Sequence, residues 1–119
     1  MARVLKRVPK RVLRGEVYWA DLEPTRGHEQ AGVRPVVILS RTAFNERSRT
    51  VIAMAITSQT QRAGYPFTWR VPPDVLRREA WIKITQIRTL AVERLGRRLG
   101  KLDGRDLDEL IEGLLQTIR

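Results

Sequence analysis

The chain has 119 residues, carries 23 Lys and Arg against 13 Asp and Glu, and contains one His and no Cys. That length predicts a single domain. Without Cys the chain cannot form disulfides, thiolate zinc sites or a cysteine nucleophile, and with one His it cannot supply a paired-His metal site. Its apolar runs, such as Val36–Leu39, are far too short to span a membrane, so we expect a cytoplasmic protein with no membrane association. A formal net charge of +10 favours a polyanionic partner.

The positive charge is concentrated at the N-terminus. Residues 1–14 contain six of the Lys and Arg residues and no acid. Pro9 interrupts any helix there, and residues 1–13 are predicted to form a basic N-terminal extension. Three interpretations stay open: an arm that binds nucleic acid, a solvated tail, and a translation start assigned upstream of the true domain.

Short apolar segments separated by turn residues predict a series of β-strands after this extension. The predicted strands are Glu16–Leu22, Pro35–Leu39, Val51–Ile56, Phe67–Val71 and Trp81–Ile84. The unbroken apolar run of the second strand is typical of burial on both faces. Thr42–Arg47 is predicted to form one helical turn and Pro72–Asp74 a turn between strands. Short strands with such connections favour a small barrel, and the long polar loops at 23–34 and 57–66 are candidates for function.

The C-terminal segment has the pattern of an amphipathic helix. Asp103 can cap its first turn, and Leu102 and Leu107 occupy the two positions of a hydrophobic staple. Apolar residues then recur at i, i+3 and i+4 as far as Ile118, which places one apolar stripe along the helix. We therefore expect a helix that packs on the barrel, with its acidic residues on a solvated face.

A basic domain that cleaves nucleic acid needs either metal ions or a chemistry that avoids them. The acids outside the terminal helix are scattered, whereas a two-metal nuclease needs clustered carboxylates. RNA offers another route, because its own 2′-hydroxyl can attack the adjacent phosphorus when a site aligns the backbone and stabilises the charge. Arg34 and Thr57, each where a strand meets a loop, are the candidates for this chemistry. Both residue types are also common at such positions without any catalytic role.

Five segments of the chain occur in an order and spacing shared with a known family. They are RGEVYWADLEPTRG at 14–27, EQAGVRPVV at 29–37, AITSQ at 55–59, YPF at 65–67 and QIRT at 86–89. Together they resemble the MazF/PemK family of toxin endoribonucleases of type II toxin-antitoxin systems. The resemblance covers the chain from Arg14 to the C-terminus, so residues 14–119 are predicted to be the toxin domain.

The resemblance implies an SH3-like small barrel of the CcdB/PemK type that assembles as a homodimer. It implies cleavage of single-stranded RNA, including mRNA, at a short sequence, without a metal ion or cofactor. The expected products are a 2′,3′-cyclic phosphate and a 5′-hydroxyl, and the expected partner besides RNA is a cognate antitoxin that neutralises the enzyme.

The same resemblance assigns roles to particular residues. The family's catalytic Arg and Thr fall on Arg34 and Thr57, and Glu29 carries over as a residue of the active-site loop. Because a guanidinium stays protonated in proteins, we assign Arg34 to charge stabilisation and Thr57 to orienting a phosphate oxygen or the nucleophile. Polar or basic side chains near these positions are expected to contact RNA, namely Gln30, Arg26, Ser58, Gln59 and Lys83.

Three positions depart from the family's pattern. His28 stands where the family often has Ser; it is either a proton shuttle beside the scissile phosphate, since an imidazole titrates near neutral pH, or an exposed loop residue without a role. Lys83 and Thr85 stand where one branch of the family has an Arg and an Asp. Mechanisms that need that acid are therefore not expected here.

Two other functions stay open from the sequence. In the CcdB-like branch of the superfamily the same barrel is a protein-targeting toxin that poisons a topoisomerase, and fold alone does not separate the two activities. The basic extension also fits a non-catalytic protein that binds nucleic acid. The matches at Arg34 and Thr57 favour the nuclease.

Overall fold

The computed structural model describes residues 8–22 and 32–119. Within these ranges there are six strands: β1 Glu16–Asp21, β2 Val33–Ile38, β3 Thr50–Thr57, β4 Thr68–Arg70, β5 Trp81–Ala91 and β6 Leu95–Lys101. The helices are α1 Thr42–Ser48, α2 Pro73–Leu76 and α3 Gly104–Ile118, with a short 3-10 helix at Val92–Arg94. No helix in the described ranges is long and apolar enough to cross a membrane.

The strands form one antiparallel sheet in the order β4-β5-β3-β2-β1-β6. Successive side chains of a strand point to opposite faces, and the middle strands are covered on both. Val37 and Met54 belong to one hydrophobic core, whereas Val36 and Ile38 belong to a second. The predicted doubly buried strand is confirmed, as is the mainly β, SH3-like class with a C-terminal amphipathic helix.

The segment before β1 lies against the sheet. Val12 is buried in the second core, and its carbonyl accepts a hydrogen bond from the Asn45 side chain of α1 at 3.0 Å. Arg11 forms an ion pair with Glu46 at 2.6 Å. Residues 8–13 of the predicted basic extension therefore contact the domain.

A buried carboxylate joins this segment and β6 to β1. One oxygen of Glu16 accepts hydrogen bonds from the Leu13 N–H at 2.8 Å and the Tyr18 hydroxyl at 2.7 Å, and the other accepts from Arg98 Nε at 2.8 Å. Burial raises the pKa of Glu16, but these hydrogen bonds and the charge of Arg98 outweigh it, so the pKa lies below its ordinary value. Burial and the adjacent carboxylate raise the pKa of Tyr18. Glu16 is therefore an ionised link among three segments at neutral pH.

The last two strands differ from the prediction. The predicted strand ends at Ile84, whereas β5 continues to Ala91. Residues 85–87 are exposed and do not alternate between apolar and polar types, so the pattern on which strand prediction depends is missing. No strand is predicted at β6, because two Arg and two Gly residues interrupt the apolar alternation of this segment. Pairing with β1 defines β6 instead.

The predicted C-terminal helix is confirmed together with both of its N-terminal features. The Asp103 carboxylate accepts a hydrogen bond from the Asp106 N–H at 2.9 Å. Leu102 and Leu107 are buried in the same core. On the next turn, the Glu109 carboxylate accepts a hydrogen bond from Trp69 Nε1 at 2.7 Å, which fastens α3 to β4.

Helix α2 replaces the predicted turn at Pro72–Asp74. Proline is favoured in the first turn of a helix, and Arg77, with φ 59°, ends this one. The helix packs against β6 where the backbone of Gly100 leaves room: a Cβ there would lie 2.7 Å from the carbonyl oxygen of Val75. This close approach fixes α2 and the residues after it at one end of the sheet.

Candidate active site

The register of β2 and β3 brings the two predicted catalytic residues together. Val36 pairs with Ala55 and Val37 with Met54. Arg34 precedes these paired residues in β2 and Thr57 follows them in β3, so both lie toward the same end of the antiparallel strand pair.

Each of the two residues is held by its strand. The predicted second strand starts at Pro35, but β2 begins at Val33, so Arg34 lies inside it, paired with Ala20 of β1. The prediction missed these positions because Pro35 resembles a strand start. Thr57 is the last residue of β3, one position beyond the predicted end of that strand at Ile56. Its hydroxyl accepts a hydrogen bond from the Gln59 N–H at 3.1 Å, and this bond closes a turn at the start of the following loop.

Arg34 and Thr57 line one pocket of about 450 Å³. The sheet contributes Trp19 and Ile56 to its walls, and α2 contributes Leu76. The described residues that line the pocket include two arginines, Arg34 and Arg78, and no carboxylate; two hydroxyls come from Thr57 and Ser58.

This set of groups suits a reacting phosphodiester. Guanidinium groups can donate two parallel hydrogen bonds to phosphate oxygens, and a neighbouring hydroxyl can donate a third. Such fixed donors act more strongly in a site with apolar walls than in water, because the effective dielectric constant is lower. The pocket is therefore able to stabilise the additional negative charge of a phosphorane.

Comparison with known proteins identifies the family. The model of the PemK-like, MazF-like toxin of type II toxin-antitoxin systems matches residues 13–118. The chain belongs to this family. It is similar to Endoribonuclease EndoA of Bacillus subtilis, with 41% identity over 107 residues that cover 87% of this chain and 90% of that protein. It is also similar to Endoribonuclease MazF of Staphylococcus saprophyticus, with 38% identity over 113 residues, 89% of this chain and 94% of that protein.

Solved MazF structures share the fold. A crystal structure of MazF from Deinococcus radiodurans has a TM-score of 0.76 at 27% identity and covers 92% of this chain and 98% of that one. A MazE-MazF structure from the same organism has a TM-score of 0.74 at 25% identity and covers 94% and 97%. The sheet and the C-terminal helix are therefore the fold of the MazF-like family over nearly the whole chain.

The other residues predicted for this MazF-like site lie in different places. Ser58 lines the pocket with Arg34 and Thr57, and Gln59 follows it on the exposed loop. Lys83 is half-buried on β5, opposite Thr68, and is not among the residues that line the pocket. Arg26, His28, Glu29 and Gln30 lie outside the described residues.

Sequence reasoning missed two side chains of the pocket. Trp19 was identifiable in principle, because pairing the first two predicted strands places it opposite Pro35, next to Arg34. Arg78 has no such local signal, because its position depends on the packing of α2 on Gly100. In the described part of the toxin, no three His, Cys, Asp or Glu side chains are grouped as a metal site requires.

Proposed function

We propose that this MazF-like toxin is an endoribonuclease that cleaves single-stranded RNA at a short sequence without a metal ion. The observation that carries the proposal is that Arg34 and Thr57 line one pocket whose described charged groups are cationic. The names of the relatives from Bacillus subtilis and Staphylococcus saprophyticus, both endoribonucleases, support it. The net charge of +10 supports an RNA substrate.

In the proposed reaction the 2′-hydroxyl of the substrate is the nucleophile. Its oxygen forms a bond to the adjacent phosphorus while the bond from phosphorus to the 5′-oxygen breaks, which gives a 2′,3′-cyclic phosphate and a 5′-hydroxyl. The proton lost by the 2′-oxygen is balanced by the proton gained by the leaving 5′-oxygen. Arg34 stabilises the phosphorane and Thr57 orients a phosphate oxygen, whereas proton transfer is assigned to His28 and Glu29.

RNA contacts are proposed for five further polar or basic side chains. Ser58 and Gln59 follow Thr57 on its loop, and Arg26 and Gln30 flank the residues assigned to proton transfer. Lys83 contributes positive charge from β5. These side chains are proposed to hold the backbone and base edges of an unpaired strand.

The proposed assembly is a cytoplasmic homodimer that a cognate antitoxin neutralises. The MazE-MazF structure from Deinococcus radiodurans joins a MazF fold to its MazE, which supports this partner class. The domain is proposed to span 14–119, with residues 1–13 as a basic extension that adds phosphate contacts.

A variant series tests the catalytic assignment. Purified wild-type protein, Arg34→Ala and Thr57→Val are incubated with a long unstructured RNA, and initial cleavage rates are compared. Loss of a charge-stabilising group is expected to lower the rate at least about a hundredfold. Arg77→Gln is the matched control, since Arg77 is exposed and does not line the pocket. Wild-type rates for Arg34→Ala would exclude the proposed site.

A further inference from the structure

A second concave surface lies toward the end of the sheet opposite to the candidate active site. It is an open groove of about 750 Å³, lined by residues of α1, β3 and α3 and by Leu39 at the end of β2. Leu39 follows Arg34 by five residues, and Ile52 of the groove precedes Thr57 by five residues. Since a strand rises about 3.3 Å per residue, the groove lies about 16 Å along the sheet from the catalytic pair. The proposed chemistry does not use this surface.

Two arginines with unused donors line the groove. Arg14 is held by the backbone, because its Nε donates to the Leu39 carbonyl at 3.1 Å and its backbone N–H donates to the Thr42 hydroxyl at 3.2 Å. Neither Arg14 nor the exposed Arg41 has an ion-pair partner in the described part of the chain. The described residues that line the groove include no carboxylate. The groove therefore carries positive charge that its own walls do not neutralise.

The positive charge continues beyond the groove through Arg14. Arg14 also lines a neighbouring depression together with Lys101, which is exposed and forms no ion pair within the described ranges. Asp103 is the one carboxylate among the described residues of that depression, and it already caps α3 by accepting the N–H of Asp106. In the sequence, Arg14 directly follows the basic extension, residues 1–13. Cations spaced along a surface in this way suit a chain of phosphates.

The apolar part of the groove indicates what accompanies the phosphates. The Phe44 side chain lines the groove and is 42% exposed, and Ile52 and Ile111 also line it. Proteins that bind single-stranded nucleic acids combine cations for the backbone with aromatic side chains on which bases stack. A second copy of this chain fits less well, because a two-fold contact centred on the groove would bring the same arginines of both copies together without lining carboxylates to pair them.

We infer that this groove is a second binding site for single-stranded RNA, which holds a segment of the substrate outside the cleavage sequence. Its cations and its exposed ring, namely Arg14, Arg41, Lys101 and Phe44, are called the distal surface. The cations pair with phosphates, and Phe44 stacks on one base. Because the distal surface is separate from the catalytic pocket, it raises the affinity for long RNA without changing the chemical step. The inference rests on the proposed function and adds substrate length as a property that the enzyme distinguishes.

Two variants and two RNA lengths test the distal surface. Arg41→Gln removes one charge, and Phe44→Leu removes the ring and keeps an apolar side chain. Arg77→Gln is the matched control, since Arg77 is exposed and lines neither the groove nor the catalytic pocket. Each protein is titrated with uncleavable analogues that carry a 2′-deoxyribose at the scissile position. One analogue has about 6 nucleotides around the mapped site, and the other has about 12 more on each side.

The two lengths should respond differently to the variants. For the long analogue, Arg41→Gln should reduce the slope of log Kd against log salt by about 0.7, and Phe44→Leu should weaken binding about tenfold. For the short analogue, both variants should bind as wild type does, and Arg77→Gln should match wild type at either length. With cleavable RNA, both variants should raise KM for the long substrate and keep kcat. Thermal unfolding and gel filtration check that each variant keeps the wild-type fold and assembly.

The outcomes separate the distal surface from the nuclease itself. If wild type cleaves RNA of neither length, the proposed function fails and the inference fails with it. If wild type cleaves but binds the long analogue no more tightly than the short one, or both variants bind the long analogue as wild type does, the distal surface is refuted and the nuclease stands. Loss of the wild-type assembly in Phe44→Leu, or loss of antitoxin binding with unchanged RNA affinity, would also overturn the inference, because the groove would then belong to a second copy or to the antitoxin.

Discussion

Replacement of Glu16 by Gln tests how β1 is joined to its neighbours. Gln keeps the size of the side chain and retains one oxygen for the Leu13 N–H and the Tyr18 hydroxyl, which lie at 2.8 and 2.7 Å in the native protein. Its amide nitrogen takes the place of the oxygen that accepts from Arg98 Nε at 2.8 Å. The amide N–H and the Arg98 Nε–H, both donors, then face each other, and the native Glu16 is only 6% exposed, so water cannot easily pair with them.

The magnitude follows from the one hydrogen bond that is lost. A hydrogen bond to a charged group contributes about 1.5–3 kcal/mol, and the 49% exposure of the Arg98 side chain places this one in the lower part of that range. We expect Glu16→Gln to reduce the free energy of unfolding by about 2 kcal/mol and Tm by about 8 °C. Glu79→Gln is the control: both members of its ion pair with Arg70 are largely exposed, so the expected change is below about 0.5 kcal/mol.

The pH dependence gives a second test of the same residue. The pKa of Glu16 is lower in the folded chain than its ordinary value of 4.5. The contribution of Glu16 to the free energy of unfolding is therefore complete above pH 4.5 and disappears as the pH falls through the folded pKa. Urea unfolding of wild type and Glu16→Gln should therefore differ most near pH 7 and converge in acid. A difference below about 0.5 kcal/mol at pH 7, or one that does not shrink in acid, would refute this account.

Further predictions concern the pocket, the helix cap, the loop and the extension. Gly100→Ala should displace α2, with about 1–3 kcal/mol lost in thermal unfolding and slower RNA cleavage; unchanged cleavage would contradict the link to the pocket. Asp103→Ala should cost about 1 kcal/mol in urea unfolding and leave cleavage intact. His28→Ala should flatten the pH profile of cleavage near neutrality, and an unchanged profile removes its proposed role. Deletion of residues 1–7 should weaken RNA binding and its salt dependence with kcat unchanged; an unchanged salt slope would exclude phosphate contacts there.

The elements that were predictable from sequence have local causes. The first three strands, the helical segment after the second strand, and the C-terminal helix are each defined by their own apolar pattern or cap. Asp103 is an example, since its carboxylate needs only the N–H three residues later. Likewise, the run after Pro35 is entirely apolar, and its side chains are buried on both faces of the sheet.

The elements that the sequence did not reveal depend on distant partners. Strand β6 exists because β1 pairs with it and Glu16 binds Arg98, 82 positions away. Helix α2 depends on the space at Gly100. The pocket depends on both, and Arg78 reaches its lining through tertiary packing that no local pattern encodes.

The most direct test of the nuclease assignment is the chemistry of the cleaved ends in the presence of EDTA. Wild-type protein is incubated with a long unstructured RNA and chelator, and the termini are identified. The assignment predicts cleavage at full rate with 2′,3′-cyclic phosphate and 5′-hydroxyl ends, and formation of these ends at least about a hundredfold more slowly with Arg34→Ala. Cleavage that stops on chelation, or that leaves 5′-phosphate ends, would contradict attack by the neighbouring 2′-hydroxyl.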